Sequence, residues 1–167
     1  AASRGVRPPP VIVRHEFPAD WRILLATPCI PAGASGSTEV DIFRTYCPVP
    51  VEEVRALCHE ILMRMLPGIA ERDLDLFGSS VNAIQGLGFK KVELGLQPHE
   101  VPALIETVRS AGAAGAGMSS FGPTIYAIGD TGMQEIQKAA QTFMDEHGGG
   151  STLLTSARNS GALVRTA

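Results

Sequence analysis

Four segments of the chain repeat apolar residues every three or four positions, which is the spacing of residues on one face of an α-helix. In the first segment the repeat is Val51, Val54, Cys58, Ile61 and Met65. An apolar helix face needs a partner, so each segment is expected to cover part of a core. We predict helices at 51–65, 74–84, 101–108 and 133–143.

Helix-breaking and capping residues mark the ends of these segments. Pro50 suits the first turn of the first helix, and Pro67-Gly68 is predicted to end that helix. Thr131 and Gln134 have the spacing of a capping box before the last helix. Gly148 is predicted to end the last helix.

Short apolar or β-branched runs lie between the helical segments and are predicted to be strands. Strands interleaved with helices favour an α+β fold, in which a four-stranded, mainly antiparallel sheet carries helices on one face. Residues 31–37 contain Gly33 and Gly36 among small residues and are predicted to form a loop. The candidate strands are 11–13, 23–26, 124–128, 152–155 and 162–164.

The length of 167 residues suits one domain with its own core. A net charge of −3 with scattered basic residues gives no footprint for nucleic acid or a membrane surface. No apolar run approaches the ~20 residues of a membrane span. Cys29, Cys47 and Cys58 lack paired metal-ligand spacing, which predicts reduced thiols in the cytoplasm. The proline-rich residues 1–10 are interpreted as a linker from a missing upstream domain, with the domain itself at 11–167.

Residues 115–124, GAGMSSFGPT, combine three glycines with the serine pair Ser119 and Ser120. Glycine permits positive φ and close approach of the backbone to a ligand, and consecutive amides with two hydroxyls can bind an anion. The alternative is a small-residue strand edge where two backbones pack closely, with the serines merely hydrogen-bonded. The spacing alone leaves both interpretations open.

Other candidate motifs are incomplete. His59-Glu60 lacks the second histidine of a zinc-protease HExxH motif, because Met63 occupies that position. Neither a dinucleotide fingerprint nor a Walker phosphate loop is present, and no residue is assigned to a metal. Arg158 and Asn159 could bind carboxylate or phosphate, or could belong to a surface turn. Lys90-Lys91 is predicted to be a solvated charge pair.

Three ordered segments resemble motifs of one family. Residues 115–126 are similar to a GxGQSSWGPTVY motif, residues 17–22 (FPADWR) to FPxxWR, and residues 157–162 (ARNSGA) to xRNxGA. The first segment resembles the third conserved motif of the GHMP kinase superfamily, and most specifically its β-ribofuranosylaminobenzene 5'-phosphate synthases, which belong to methanopterin biosynthesis. Met118 and Phe121 depart from the pattern, which has glutamine and tryptophan at these positions.

This resemblance implies a ferredoxin-like GHMP C-terminal domain, the second part of a longer polypeptide. The implied activity of the full-length protein is condensation of 4-hydroxybenzoate or 4-aminobenzoate with phosphoribosyl pyrophosphate, with loss of carbon dioxide and pyrophosphate. That transferase serves (tetrahydro)methanopterin biosynthesis and C1 metabolism. Two alternatives stay open: an ATP-dependent GHMP small-molecule kinase, and a non-catalytic ferredoxin-like binding or dimerisation module.

The resemblance also implies substrate-binding residues, although no catalytic residue is assigned. Mg²⁺ is expected in the full-length enzyme and none on this chain alone. Expected partners are the small-molecule substrates, an N-terminal GHMP domain and further copies in a homo-oligomer. Because a half-site lacks its partner groups, the chain alone is expected to fold and self-associate, to bind phosphoribosyl pyrophosphate weakly and to be inactive. The implied binding residues are Gly115, Gly117, Ser119, Ser120, Gly122, Thr124, Arg158 and Asn159.

Overall fold

A computed structural model describes residues 9–164, and within them four strands form one sheet that is packed with helices. The predicted linker therefore lies largely outside the described residues, as do residues 165–167. The strands are β1 (Arg22–Pro28), β2 (Gly115–Met118), β3 (Ile125–Gly129) and β4 (Gly150–Ser156). The helices are α1 (Ser37–Tyr46), α2 (Val51–Glu60), α3 (Leu66–Glu71), α4 (Leu74–Ile84), α5 (Gly88–Gly95), α6 (Glu100–Ser110) and α7 (Met133–Glu146), with a π-helical turn (Ile61–Met65) between α2 and α3.

The strand order is β2-β3-β1-β4, and every neighbouring pair is antiparallel. Ala26 of β1 pairs with Ile125 at one end of the sheet, and Arg22 pairs with Gly129 at the other. Ser156, the last residue of β4, also pairs with Arg22. The predicted four-stranded antiparallel sheet is therefore confirmed. The β2–β3 turn lies at its Ala26 end, and the chain leaves β4 at its Arg22 end.

Helices α6 and α7 cover one face of the sheet and enclose the main core. Alternate residues of β1, among them Leu24 and Ala26, point into this core and are fully buried. The predicted faces of α6 and α7 point inward as expected, so the sheet carries these helices on one face. The buried residues of this core are Leu24, Ala26, Val101, Leu104, Ile105, Val108, Ala113, Ala116, Met118, Ile125, Ala127, Met133, Ile136, Ala140 and Met144.

Helix α4 packs along β2, the edge strand of the sheet. The Asn82 side chain donates to the Ala114 carbonyl (3.0 Å) and accepts from the Ala116 N–H (2.9 Å). One turn later, the Gln85 side chain accepts from the Met118 N–H (3.1 Å). These bonds satisfy backbone groups that an edge strand would otherwise leave unpaired. A second core lies beside α4 and consists of Trp21, Phe77, Val81 and Ile128.

The helical path from α2 does not end at Pro67-Gly68, so that prediction was wrong. In the π-helical turn the Leu66 N–H donates to the Ile61 carbonyl, five residues back. Pro67 then falls in the first turn of α3, directly after the π-helical turn. The path ends after Glu71, where Arg72 adopts a left-handed conformation with φ 60°.

Two helices of the structure, α1 and α5, were not predicted from the sequence. Helix α1 begins at Ser37, at the end of the predicted 31–37 loop, and buries none of its residues. Helix α5 buries only Gly88 and Glu93, which do not form an apolar stripe. Both helices do carry short apolar repeats, Val40, Phe43 and Tyr46 in α1 and Phe89 and Val92 in α5, but neither repeat extends beyond three positions.

The predicted inward face of α2 is instead largely exposed, with 59% of Val51 and 43% of Val54 accessible. The predicted capping box before α7 is also absent, because Gly132, with φ 66°, is the N-cap residue and no side chain caps the helix.

The fourth strand is β2, within the glycine-serine segment. The runs 11–13 and 162–164 form no strand in the described part of the chain, and their apolar residues are exposed. The other predicted strands are confirmed as β1, β3 and β4.

Candidate functional site

The β2–β3 turn, residues 119–124, is here called the serine loop. The Ser119 N–H donates to the Thr124 carbonyl (2.9 Å), and the Gly122 N–H donates to the Ser119 carbonyl (2.8 Å). Ser120 and Gly122 are left-handed, with φ 48° and 71°. Both serines are exposed at the tip. Left-handed residues in a tight turn, next to free hydroxyls, are typical of backbone sites that bind anions.

Four of the predicted binding residues are therefore together in the serine loop: Ser119, Ser120, Gly122 and Thr124. The Thr124 hydroxyl lies 2.9 Å from the Thr27 hydroxyl of β1, which anchors the base of the loop to the sheet. Glycine suits position 122 because its φ of 71° is one that residues with a side chain rarely adopt, and a Cβ here would also lie 2.7 Å from the Met118 Sδ. Met118 itself is buried beneath the loop, so its side chain offers no contact to a ligand.

Gly115 and Gly117 are buried in β2, below the loop rather than at its tip. A Cβ on Gly115 would lie 2.8 Å from the Gly78 Cα of α4, and one on Gly117 would lie 2.4 Å from the Gln85 Cδ. Close packing between α4 and β2 accounts for both glycines. Gly115 and Gly117 therefore fit the interpretation of a strand edge where two backbones pack closely. Ser119 and Ser120 instead lie in the exposed turn that follows the strand.

Lys90 of α5 lies beneath the serine loop. Its Nζ donates to the Met118 carbonyl (3.2 Å) and the Ser120 carbonyl (3.1 Å), and forms an ion pair with Glu93 (2.5 Å). Only 20% of the Lys90 side chain and 11% of the Glu93 side chain are exposed. The prediction of a solvated pair was therefore wrong for Lys90 but describes Lys91, which is 64% exposed. The i,i+3 spacing of Lys90 and Glu93 was the available signal, but α5 itself had not been predicted.

The start of α5 is held by Glu53 of α2. The Gly88 N–H donates to the Glu53 carboxylate (2.8 Å), and Lys91 Nζ lies 3.6 Å from it. The Gly88 hydrogen bond holds the pKa of Glu53 below its ordinary value; burial opposes this shift and Lys91 supports it. Helix α5, and with it Lys90, is thereby fixed relative to α2.

A pocket of about 490 Å³ opens beside the serine loop. It is lined by residues 31–35 and 96–98 together with Thr38, Ile42 and Phe121. A Cβ on Gly33 would lie only 1.7 Å from the Phe121 carbonyl oxygen, so only glycine allows residues 31–35 to cross the loop at this distance. The lining is mostly apolar with a few polar groups, as is usual for small-molecule sites.

Aromatic stacking attaches α1 and α5 to the serine loop. Phe43 of α1 and Phe89 of α5 stack with ring centroids 4.4 Å apart. The Phe121 ring meets both edge-on, at 6.2 Å and 6.0 Å. These contacts explain why α1 can pack here without burying any residue fully.

Arg158 and Asn159 lie at the opposite end of the sheet. They follow Ser156, which pairs with Arg22, whereas the serine loop follows the Ala26 end. Four residues of strand separate these ends, which is about 14 Å. Arg158 is exposed and its Nε donates to the Ser160 hydroxyl (3.2 Å). Within this chain, the two residues are therefore not adjacent to the serines, and their role in binding stays a prediction.

Among residues 9–164, no group of three or more histidine, cysteine, aspartate or glutamate side chains is placed to hold a metal ion. Within the same residues, no helix has the length and apolar character needed to cross a membrane.

Residues 65–146 match the family model described as GHMP kinases C terminal. The chain is 44% identical over 164 residues to a β-ribofuranosylphenol 5'-phosphate synthase of Methanothermobacter thermautotrophicus, covering 98% of this chain and 49% of that protein. It is 47% identical over 164 residues to the protein of the same name from Methanocaldococcus jannaschii, covering 96% and 47%. The chain thus spans about half the length of the curated relatives it matches.

Solved structures give the same fold. The chain resembles homoserine kinase from Cytophaga hutchinsonii with a TM-score of 0.70 and 20% identity, over 86% of this chain and 44% of that one. It also resembles L. major mevalonate kinase, crystallised with R-mevalonate, with a TM-score of 0.58 and 17% identity, over 81% and 43%. At these identities the likeness concerns the fold alone, and it confirms the predicted α+β class.

Proposed function

We propose that the intact protein is a β-ribofuranosylphenol 5'-phosphate synthase of methanopterin biosynthesis and that this chain is its GHMP kinase C-terminal domain, since residues 65–146 match the model of that family. The observation that carries this proposal is 43–47% identity to three such synthases over 96–98% of this chain. The activity is proposed for the intact protein, since the chain corresponds to about half of each relative.

The proposed reaction joins phosphoribosyl pyrophosphate to an aromatic acid. Pyrophosphate leaves C1 of the ribose, and the oxocarbenium-like carbon is attacked by the ring carbon that bears the carboxylate. Carbon dioxide then leaves, and the electron pair of the broken bond restores the aromatic ring. The phenol in the name of the relatives favours 4-hydroxybenzoate over 4-aminobenzoate.

The serine loop supplies what this chain can offer to the departing pyrophosphate or the 5'-phosphate. The hydroxyls of Ser119 and Ser120 are exposed donors, and the left-handed backbone of the loop is fixed by Thr124 and Gly122. Donors fixed before the reaction stabilise developing negative charge without reorganising. The mostly apolar pocket beside Phe121 offers a place for the aromatic ring.

A divalent ion such as Mg²⁺ would neutralise the pyrophosphate in the intact enzyme. The described residues do not fit a metal cage, since no cluster of three metal-ligating side chains occurs among them. Mg²⁺ sites often combine only one or two carboxylates with substrate phosphates. We therefore propose Mg²⁺ for the intact enzyme and derive no step through a metal on this chain.

The remaining proposals concern partners and location. An apolar stripe on the outer side of α2 and the π-helical turn offers a surface for an N-terminal GHMP domain and for a homo-oligomer. This stripe contains Val51, Val54, Leu62 and Met63, which are 43–63% exposed. Cys29, Cys47 and Cys58 are free and exposed, which fits a reducing cytoplasm.

The test is an assay of the intact protein with phosphoribosyl pyrophosphate and carboxyl-labelled 4-hydroxybenzoate. Equal release of labelled carbon dioxide and pyrophosphate is expected, with 4-aminobenzoate as the competing substrate. Formation of ADP from ATP in the presence of a small alcohol, without carbon dioxide release, would identify a kinase instead. Absence of both reactions would favour a binding or dimerisation module. Residues 1–167 alone are expected to be inactive, because a half-site lacks its oriented partner groups.

A further inference from the structure

The ammonium group of Lys90 is bound to the serine loop and to Glu93. An ammonium group has three N–H donors, and Lys90 Nζ has three acceptors within 3.2 Å: the Met118 carbonyl, the Ser120 carbonyl and the Glu93 carboxylate. The donors are thus fully used. Glu93 also neutralises the charge of Lys90, and both side chains are largely buried.

The two carbonyls that Lys90 holds flank the serine pair, since the Met118 carbonyl precedes Ser119 and the Ser120 carbonyl follows Ser120. The C=O and N–H groups of a trans peptide point in opposite directions. When the Ser120 carbonyl is bound to Lys90, the N–H of the same peptide, that of Phe121, is therefore turned away from Lys90. Lys90 fixes the peptide between Met118 and Ser119 in the same way. The N–H of that peptide belongs to Ser119 and donates to the Thr124 carbonyl. Lys90 thus sets the orientation of backbone groups on both sides of the serine pair.

We infer that Lys90, held by Glu93, is a positioning residue that fixes the serine loop in its anion-binding conformation and does not itself contact the anion. This inference rests on the proposed function, which supplies the anion as the pyrophosphate or phosphate of the ribosyl donor. The left-handed conformation of Ser120 is one that non-glycine residues rarely adopt, so it needs outside support. The two hydrogen bonds from Lys90 supply that support.

The first test compares Lys90→Met with Lys91→Met in the intact protein. Both substitutions remove one positive charge from α5, but Lys91 is exposed and pairs with Glu53, whereas Lys90 binds the loop carbonyls. We expect Lys90→Met to raise the KM for phosphoribosyl pyrophosphate about tenfold and to weaken binding of inorganic pyrophosphate equally. The KM for the aromatic acid is expected to stay within about twofold, and Lys91→Met to change neither. Equal effects of the two substitutions on pyrophosphate would overturn the inference.

The second test asks whether Glu93→Gln strengthens or weakens the binding of pyrophosphate. If Lys90 attracted the anion directly, removing the neutralising charge would strengthen pyrophosphate binding. A positioning role predicts affinity at or below that of the wild type, because Lys90 loses its anchor. Tighter binding by Glu93→Gln therefore contradicts the inference. Lys90→Met leaves the Glu93 charge buried without a partner. If this prevents folding, the double variant Lys90→Met/Glu93→Gln, which removes the buried charge, replaces Lys90→Met in the first test.

The two proposals fail separately. Absence of carbon dioxide release by the wild type removes the synthase proposal but leaves the pyrophosphate comparison, which needs no turnover. Normal synthase activity together with unchanged pyrophosphate affinity in Lys90→Met removes the positioning role alone.

Discussion

The side chain of Asn159 forms two hydrogen bonds with the backbone of Phe17. Its Oδ1 accepts from the Phe17 N–H (2.9 Å), and its Nδ2 donates to the Phe17 carbonyl (2.9 Å). Arg14 adds a bond from its guanidinium to the Asn159 carbonyl (2.9 Å). The amide thus joins the segment after β4 to the segment before β1, across 142 residues of sequence. In this chain Asn159 connects the two terminal segments.

Replacing Asn159 with alanine should reduce the free energy of unfolding by about 1 kcal/mol, because two hydrogen bonds at an exposed site are lost. Urea unfolding measures the change. Arg158→Ala is the matched control and should stay within about 0.5 kcal/mol, since its side chain is exposed. Wild-type stability of Asn159→Ala would mean that the connection contributes nothing in solution.

Ser120 and Arg158 should act independently, because they lie at opposite ends of the sheet. We expect Ser120→Gly, which keeps the left-handed backbone, and Arg158→Ala to have additive effects on pyrophosphate affinity, within about 0.5 kcal/mol. A double-mutant cycle by calorimetry on the intact protein gives this value. A coupling above about 1 kcal/mol would show that both residues contact one anion, contrary to the geometry of the single chain.

Gly115 and Gly117 should differ in their tolerance of alanine. A Cβ at Gly115 meets the backbone of Gly78, which cannot move without shifting α4, so Gly115→Ala should cost about 2–3 kcal/mol. A Cβ at Gly117 meets the end of the Gln85 side chain, which can swing away and lose its bond to β2. That substitution should cost about 1 kcal/mol.

The control for both glycines is Gly95→Ala, since no atom lies within 4 Å of a Cβ at this exposed position. It should be neutral or slightly stabilising. Denaturant unfolding of the three variants tests the order. Equal losses for Gly115→Ala and Gly117→Ala would show that α4 moves as easily as a side chain.

The sequence predicted α6 and α7, which pack on the sheet, but not α1 or α5. The periodic apolar residues of α6 and α7 are buried in the main core, so their spacing in the sequence reflects the buried face of each helix. Helix α1 buries no residue and is attached through Phe43 to Phe89 and Phe121, a contact between distant segments that periodicity does not reveal. Strand β2 was predicted only as the strand-edge alternative for residues 115–124, because its glycines and alanine lack β propensity, and packing against α4 overrides that deficit.

The candidate site was predicted in part for a similar reason. The serine pair is contiguous in sequence, so one segment was enough to indicate it. Lys90 reaches the loop from a helix about 30 residues away, and its three partners include two backbone carbonyls, which leave no trace in a sequence. Arg158 was grouped with the serines by motif order, but the antiparallel register of β1 and β4 places it at the other end.

Tyr126 of β3 lies on the side of the sheet that faces α4, and the Gln85 side chain donates to its hydroxyl (3.4 Å). Burial raises the pKa of Tyr126 above its ordinary value of 10.0, and the Gln85 hydrogen bond opposes this shift. The folded state therefore favours the neutral phenol. Its contribution to stability is fully present below pH 10.0 and is lost as the pH rises through the raised pKa of the folded state.

Tyr126→Phe should therefore be slightly less stable than the wild type near neutral pH, by at most about 1 kcal/mol for one long hydrogen bond. As the pH rises above about 10 the advantage of the wild type should shrink, because the unfolded tyrosine ionises and the buried one does not. All other ionisable groups are the same in both proteins, so their effects cancel in the difference. Urea unfolding of both proteins at several pH values measures this difference directly. A difference that stays constant across the range would show that Tyr126 ionises as easily in the folded protein as in the unfolded chain, and that the packing of α4 against this side of the sheet leaves its hydroxyl open to water.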